Sequence, residues 1–284
     1  MKITKKNLAI LSALLFMIII ILYFVYQNIV YVSTDNAKIE GHAVLLTPKV
    51  TGFIIAVNFE QGQKVKKGQI IIEIDDRDAQ NSLKQSKANL ISVTAKLKEA
   101  ESNYKRTERL YKIGAATQQQ FDSTYANYSD IKAQMDSLHA QVAQAELTIE
   151  HTKIKAPRHG IIGKISAEVG QLAASGVPLI GFVDSEERWV IANFKETEIQ
   201  SISPGSKAYI EIDAFPEKKY VGKVFSLSPA TGATFTLLPP DNATGNFTKV
   251  VQRIPVKIKF EQLSEQDIDI LKNGLSVFLK IKKT

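Results

Sequence analysis

The sequence predicts an elongated protein of mixed α and β class. It combines an amino-terminal transmembrane helix, a split β-sandwich with an antiparallel coiled-coil α-hairpin inserted into it, and an antiparallel β-barrel domain. Three observations predict this. A long run near the start carries no charge; two glycine-punctuated segments repeat at one fixed offset; and two stretches between them keep a seven-residue apolar period.

The first six residues carry Lys2, Lys5 and Lys6, and no charge follows until Asp35. Residues 8–26 are almost all apolar, long enough to cross a bilayer. Tyr23, Tyr26 and Tyr31 lie near the far end, where an interfacial aromatic belt belongs. The lysines make 1–6 a cytoplasmic tail by the positive-inside rule, 7–28 an anchor, and the remainder exported. A cleaved signal peptide is the alternative, but the apolar run exceeds a usual signal core and no small-x-small site closes it before Ser33. No later segment is apolar enough for a second span.

Composition bounds the rest. The 284 residues are 44% hydrophobic and 23% charged, enough for two or three small folded domains. With no cysteine there are no disulfides or thiolate metal sites. The net charge of +7 comes from dispersed lysines without interleaved aromatics, which argues against nucleic-acid binding.

Gly52 matches Gly160, Gly62 matches Gly170, Gln63 matches Gln171 and Gly68 matches Gly176, all 108 residues apart. Apolar neighbours match too, so residues 48–76 and 153–185 are two copies of one strand–turn–strand unit. Together they resemble the biotinyl/lipoyl carrier domain. The tight turn that holds a carrier's modified lysine is absent here, and the helical segment 77–152 stands in its place. Lys66 and Lys67 are then ordinary turn lysines, and no cofactor is implied.

Within 77–152, Leu83, Leu90, Leu97, Tyr104 and Tyr111 recur every seven residues, with Ser86, Val93, Ala100 and Thr107 offset by three. The second arm repeats the pattern with Phe121, Tyr128, Met135, Val142 and Ile149, and with Thr124, Ile131, Leu138, Ala145 and Thr152. Such a pattern keeps one narrow seam against one partner helix. Gly114, between the arms, fits a helix terminus and reversal. Each arm reaches about 54 Å at 1.5 Å per residue, further than a small domain is wide.

After Asp184 the pattern changes to short alternating strands near 189–194, 208–213, 220–227, 256–260 and 275–282, with turn signals at Pro204-Gly205 and Asn273-Gly274. This is a barrel over 186–284, to which the preceding 29–47 contributes a linker and first strands. The loop 228–249 is long, and Phe235, Leu237, Leu238 and Phe247 within it suit docking against a surface.

Catalytic signatures are missing. His42, His139, His151 and His159 show no metal-ligand spacing, and there is no phosphate-binding loop or nucleophile elbow. Asp75, Asp76 and Asp78 sit at a strand-to-helix junction, where an N-cap and first-turn charges are the plain role.

With these parts in order, residues 34–281 resemble the HlyD-superfamily periplasmic membrane fusion (adaptor) proteins, most closely the EmrA-type multidrug efflux branch. Carrying the resemblance are Thr34-Asp35-Asn36-Ala37, Ile154-Lys155-Ala156-Pro157, the segment from Trp189 to Thr197, and Pro239-Pro240-Asp241-Asn242-Ala243-Thr244-Gly245-Asn246-Phe247 followed by Val250 to Val256. The resemblance implies a non-enzymatic adaptor, anchored once in the inner membrane of a Gram-negative bacterium with its bulk in the periplasm. It couples an inner-membrane major facilitator transporter to a TolC-like outer-membrane channel, exports small toxic compounds, and self-associates into a ring or tube. In this family the hairpin tip meets the channel through an arginine, a leucine four residues on and a serine seven further. Arg106, Leu110 and Thr117 fall at those spacings beside Gly114, with threonine in place of serine. Helix capping alone also accounts for them. The resemblance assigns Phe235, Leu237, Leu238, Pro239, Pro240, Asn242, Asn246 and Phe247 to a transporter-facing loop. An adaptor for an ABC-type (type I) protein exporter and a non-transport envelope scaffold are the alternatives.

Overall fold

The computed structural model describes residues 5–235 and 251–283; side chains of 5–13, 20, 23, 24, 28, 233, 235 and 265 lie outside that description. In chain order the elements are α1 (Lys5–Val30), β1 (Tyr31–Glu40), β2 (Ala43–Leu46), β3 (Gly52–Val57), β4 (Lys64–Val65) and β5 (Ile70–Ile74). The long helices α2 (Arg77–Lys112) and α3 (Gln118–His151) follow, then β6 (Lys153–Lys155), β7 (Gly160–Ile165), β8 (Leu172–Ala173) and β9 (Ile180–Asp184). The last part holds β10 (Trp189–Lys195), β11 (Lys207–Ile212), β12 (Lys219–Leu227), β13 (Arg253–Phe260), α4 (Glu265–Ile270) and β14 (Ser276–Lys282). The chain divides into two units, one made of 1–42 with 184–284 and the other of 43–183.

The first unit is a closed six-stranded barrel, ordered β1-β10-β13-β12-β11-β14 with every neighbour antiparallel. Alternating residues turn inward, so Ile39, Val190, Phe194, Ile210, Ile258, Leu279 and Ile281 form a core with no measurable exposure. The Thr34–Ala37 motif is a β-bulge in β1. Thr34 Oγ1 donates to the Asn193 carbonyl at 3.0 Å and accepts from Asn36 N at 3.1 Å, while Asn193 Nδ2 donates to Asn36 Oδ1 at 3.1 Å. The motif is therefore a closure device for the barrel. Helix α1 runs into β1 without the expected linker. Among the described residues no helix is long and apolar enough to cross a membrane, and the anchor expected over 7–28 falls partly on side chains outside the description.

At the barrel end away from α1, Arg188 is only 6% exposed. It donates to the carbonyls of Asp184 (2.6 Å), Glu187 (2.8 Å) and Leu271 (3.0 Å), tying the turn before β10 to the end of α4. Burial pulls its guanidinium below the usual value, against the opposing pull of Asp184 and Asp269. Helix α4, unexpected from sequence, starts at a reciprocal capping box in which Ser264 and Asp267 exchange hydrogen bonds. Asp267 also accepts from Lys218 Nζ (3.0 Å) and Tyr220 Oη (2.9 Å).

The Ser264 and Lys218 hydrogen bonds hold the Asp267 carboxyl well below its ordinary value of 3.8, and burial with this carboxylate pushes the Tyr220 hydroxyl up to about 12. A depressed carboxylate stabilises the fold above its unfolded value and loses that contribution as pH falls. Asp267→Asn should therefore cost about 2 kcal/mol at neutral pH, the scale of hydrogen bonds to a charged group. In thermal melts the gap from wild type should begin to narrow once the pH drops below 3.8.

The second unit holds two four-stranded sheets, β2-β9-β7-β4 and β6-β5-β3-β8. Each sheet takes strands from both copies of the repeat, and the exchange is symmetric. Gly52 pairs with Ala173 as Gly160 pairs with Val65, and Leu46 pairs with Ile180 as Ile154 pairs with Ile72. Gly62 N donates to Ile162 O at 2.7 Å, and the matching Gly170 N donates to Ile54 O at 2.8 Å. Gln63 and Gln171 each accept from a backbone N–H three residues back, at 2.9 and 3.0 Å. Neither copy closes a core alone. Buried pairs such as Ile54 with Ile162 and Ile74 with Phe182 come from matching positions. Strand β2, expected with the barrel, belongs here, because its edge is completed by β9.

Helices α2 and α3 pack antiparallel along the seam. Val93, Ala100, Ala145 and, at the base, Thr152 are buried within it, and the remaining seam positions are half-buried apart from Tyr111 at the open end. Flanking charges add one cross-pair, Lys87 to Glu146 at 2.9 Å; both side chains are about half exposed, so it contributes little. At the start of α2 the capping differs from expectation. Asp76, at the N-cap position, makes no capping bond, and Asp75 accepts from Arg77 N at 3.1 Å and grips the Arg77 side chain.

Candidate functional site

The hairpin tip gathers most of the expected contact residues. Helix α2 ends in a two-bond cap, in which Gly114 N donates to Tyr111 O at 3.0 Å and Ala115 N to Leu110 O at 2.8 Å. Gly114 sits at φ 73 with open space where a side chain would point, so its backbone angle is what requires glycine. Helix α3 begins at once with a capping box. Thr117 Oγ1 accepts from Gln120 N at 3.3 Å, and Gln120 Oε1 accepts from Thr117 N at 3.0 Å. The four-residue reversal is thus fixed by hydrogen bonds on both sides.

Beneath it lies an aromatic stack. Tyr104 and Tyr128 are parallel with centroids 5.4 Å apart, Tyr111 and Phe121 likewise at 5.2 Å, and Tyr125 lies 5.6 Å from Tyr104. Stacked rings stiffen the distal hairpin, where aliphatic seam residues alone would leave the helix ends to fray. The Tyr111 hydroxyl also donates to Gln118 Oε1 across the turn.

Leu110, 40% exposed, lines a shallow groove of about 520 Å³ with Thr107, Ala115, Ala116, Gln119 and Ser123. Arg106 is one turn before Leu110, exposed and outside the groove lining. The structure therefore brings Leu110 to the reversal. It gives the Thr117 hydroxyl oxygen a capping task and leaves Arg106 in solvent. Ile113, 75% exposed at the apex, and Gln119 and Ser123 across the groove were not singled out from sequence. The run of glutamines at 118–120 was their only signal.

Capping and recognition make different demands on position 117. Thr117→Ser keeps the acceptor oxygen and should leave the melting temperature unchanged. Thr117→Ala should cost about 1 kcal/mol through the lost cap.

The second expected set lies largely outside the described residues. Leu237, Leu238, Pro239, Pro240, Asn242, Asn246 and Phe247 are not described, and of Phe235 only the backbone is, closing a 3-10 turn over Gly232–Phe235. The anchors of this loop are placed. Strand β1 leaves α1, β10 returns to that end, β13 starts there and β12 finishes there, so Leu227 and Arg253 both lie at the α1 end of the barrel.

His42 packs edge-on to Trp189 with centroids 4.9 Å apart, and His151 lies 3.4 Å from Lys49 Nζ. His139 and His159 are exposed. Among the described residues no group of three histidine, cysteine, aspartate or glutamate side chains is arranged to hold a metal ion.

Comparison with known proteins agrees with this architecture. Residues 42–184 match the family described as the RND MFP barrel-sandwich hybrid domain. The chain is 30% identical to the colistin resistance protein EmrA of Acinetobacter baumannii, over 93% of this chain and 90% of that protein. It is also 30% identical to the multidrug export protein EmrA of Haemophilus influenzae, over 98% of this chain and 84% of the relative. In fold it is similar to the membrane fusion protein Spr0693 of Streptococcus pneumoniae. That match has a TM-score of 0.66 at 15% identity, over 90% of this chain and 99% of the other.

Proposed function

The chain belongs to the HlyD-superfamily membrane fusion (periplasmic adaptor) proteins, in their EmrA-type branch, and on that premise we propose that it couples an inner-membrane major facilitator transporter to a TolC-like outer-membrane channel for export of small toxic compounds. The observation that carries this reading is identity to two export and resistance proteins across nearly the whole chain, not across one domain. In this reading α1 is a single inner-membrane anchor. Its 26 residues make about 39 Å of continuous helix, against a hydrocarbon core of about 30 Å. The charge-free sequence from 7 to 34 and the lysines before it support this orientation.

The loop 228–249 faces the transporter, supported by the position of Leu227 and Arg253 at the barrel end that α1 enters. The hairpin tip meets the channel through Leu110, with Arg106 and Thr117 beside it and Gly114 shaping the turn. Support comes from the fixed reversal and from a half-exposed leucine in a shallow groove. Copies pack side by side into a ring or tube. The seam uses one face of each helix and leaves the rest of the hairpin for neighbours.

Affinity purification of the tagged full chain from its own host in mild detergent tests the transporter assignment. A major facilitator protein is the expected co-purified partner. An ABC exporter in its place would favour the protein-secretion alternative, and recovery of no multi-span protein would favour a scaffold.

A further inference from the structure

The outer face of β11, β12, β13 and β14 carries a charge pattern that folding does not ask for. Lys207 stands directly opposite Lys223, and Lys223 opposite Lys259, giving three cations in one row across three strands. Like charges facing each other across a sheet cost stability. Lys223 has a carboxylate partner in Glu261 at 3.1 Å. Four further cations of this face rest on rings. Lys207 lies 5.5 Å from the Tyr209 centroid, Lys257 3.8 Å from Trp189, Lys259 4.6 Å from Phe225, and Lys280 5.4 Å from Phe278. Among the described residues none of these four has an ion-pair partner. Phe225, pushed outward by the bulge between Val224 and Ser226, is 56% exposed.

A ring beneath an ammonium holds it in place without neutralising it. The face is therefore apolar and predominantly cationic, its carboxylates being Glu211, opposite Lys219, and Glu261, paired with Lys223, whereas the groove lined by Asp35, Glu198, Lys195 and Arg253 mixes both signs evenly. The strand directions put Lys207, Phe225 and Lys280 at the end where α1 enters. There Tyr31 meets Tyr209 edge-on at 6.0 Å, and Lys283 N donates to Val30 O at 2.9 Å. Lysines interspersed with aromatics beside a membrane helix match the chemistry of a headgroup layer containing anionic lipid.

We propose that this barrel face docks on the anionic phospholipid headgroups of the membrane holding α1, and so fixes how the barrel leans over the bilayer; the proposal rests on the reading of α1 as an anchor. The test uses the full chain reconstituted in vesicles of phosphatidylcholine, alone or with roughly one-third phosphatidylglycerol. Amine labelling is read residue by residue by mass spectrometry, with the exposed hairpin residue Lys132 as reference.

Docking predicts that Lys207, Lys257, Lys259 and Lys280 label about threefold or more slowly with the anionic lipid, with the difference abolished at about 0.5 M salt. Equal rates in both lipids, in a chain that floats with the vesicles, would overturn the docking and leave the anchor standing. Equal protection in both would show that another protein copy or an uncharged contact covers the face, and would overturn it too. A chain that floats with neither vesicle would remove the anchor reading and this proposal together.

Discussion

Gly160→Ala is expected to destabilise the sandwich by about 3 kcal/mol, the upper part of the usual range for overpacking. A Cβ at this position would run into the Phe182 ring and the Val183 carbonyl. Phe182 is 2% exposed and locked among Ile54, Ile74 and Ile162, and the carbonyl is backbone, so neither can retreat. Its repeat partner Gly52 is less demanding, because the added atom would crowd a side-chain methyl, Ile74 Cγ2 at 2.6 Å, and would stand at ordinary contact distance, 3.7 Å, from the Asp75 carbonyl. The melting temperature of the full chain should fall by roughly 10 °C for Gly160→Ala. The fall should be smaller for Gly52→Ala. A Gly160→Ala protein melting within about 2 °C of wild type would show that the crossing strands are not packed as described.

Leu110→Lys is expected to abolish drug resistance in a host that depends on this chain, leaving fold and abundance intact. Leu110 is 40% exposed, so its contribution to the core is small, and a cation in the last turn of α2 suits the helix dipole. The change puts a charge where the proposed contact is apolar, and a desolvated unpaired charge costs far more than a lost methyl contact. Growth-inhibitory concentrations should drop to those of a strain lacking the chain, while melting temperature stays within about 2 °C of wild type. Asn89→Lys, at an exposed position further down α2, is the matched control and should retain full resistance. Retained resistance in Leu110→Lys would remove the tip from the function.

The hairpin was legible in the sequence because a coiled-coil seam is a local pattern: every partner of Leu83 or Val93 is dictated by its place in a heptad. The sandwich was legible because it is written twice. Strand β2 was misassigned for the opposite reason. Ala43-Val44-Leu45-Leu46 is a short apolar run without alternation, and its place is decided by pairing with a strand far along the chain. The signal was nevertheless present. Extending the repeat backwards matches Leu46 to Ile154, which stands in the equivalent pair.

The capping residues of α4 were visible in Ser264 and Asp267, but six residues of helix give no periodicity to read. Nothing in the sequence around Arg188 marks it; its role comes from two carbonyls of its own turn and a third, that of Leu271, far along the chain. Of the tip residues, the family resemblance pointed to Leu110 and Thr117, and the sequence could not separate capping from contact. It passed over Ile113, whose exposure follows only from the geometry of the reversal.

In-cell photo-crosslinking from position 113 tests the central claim, that this tip meets an outer-membrane channel, most directly. Ile113 is 75% exposed and supplies no side-chain cap, so a photoreactive residue there leaves the Thr117 box in place. The full chain is expressed at native level in its own host, and the trapped partner is identified by mass spectrometry. An outer-membrane channel is the predicted product, and the crosslink should weaken with Leu110→Lys. Trapping of inner-membrane proteins or peptidoglycan alone would contradict the bridging account and put the envelope scaffold in its place.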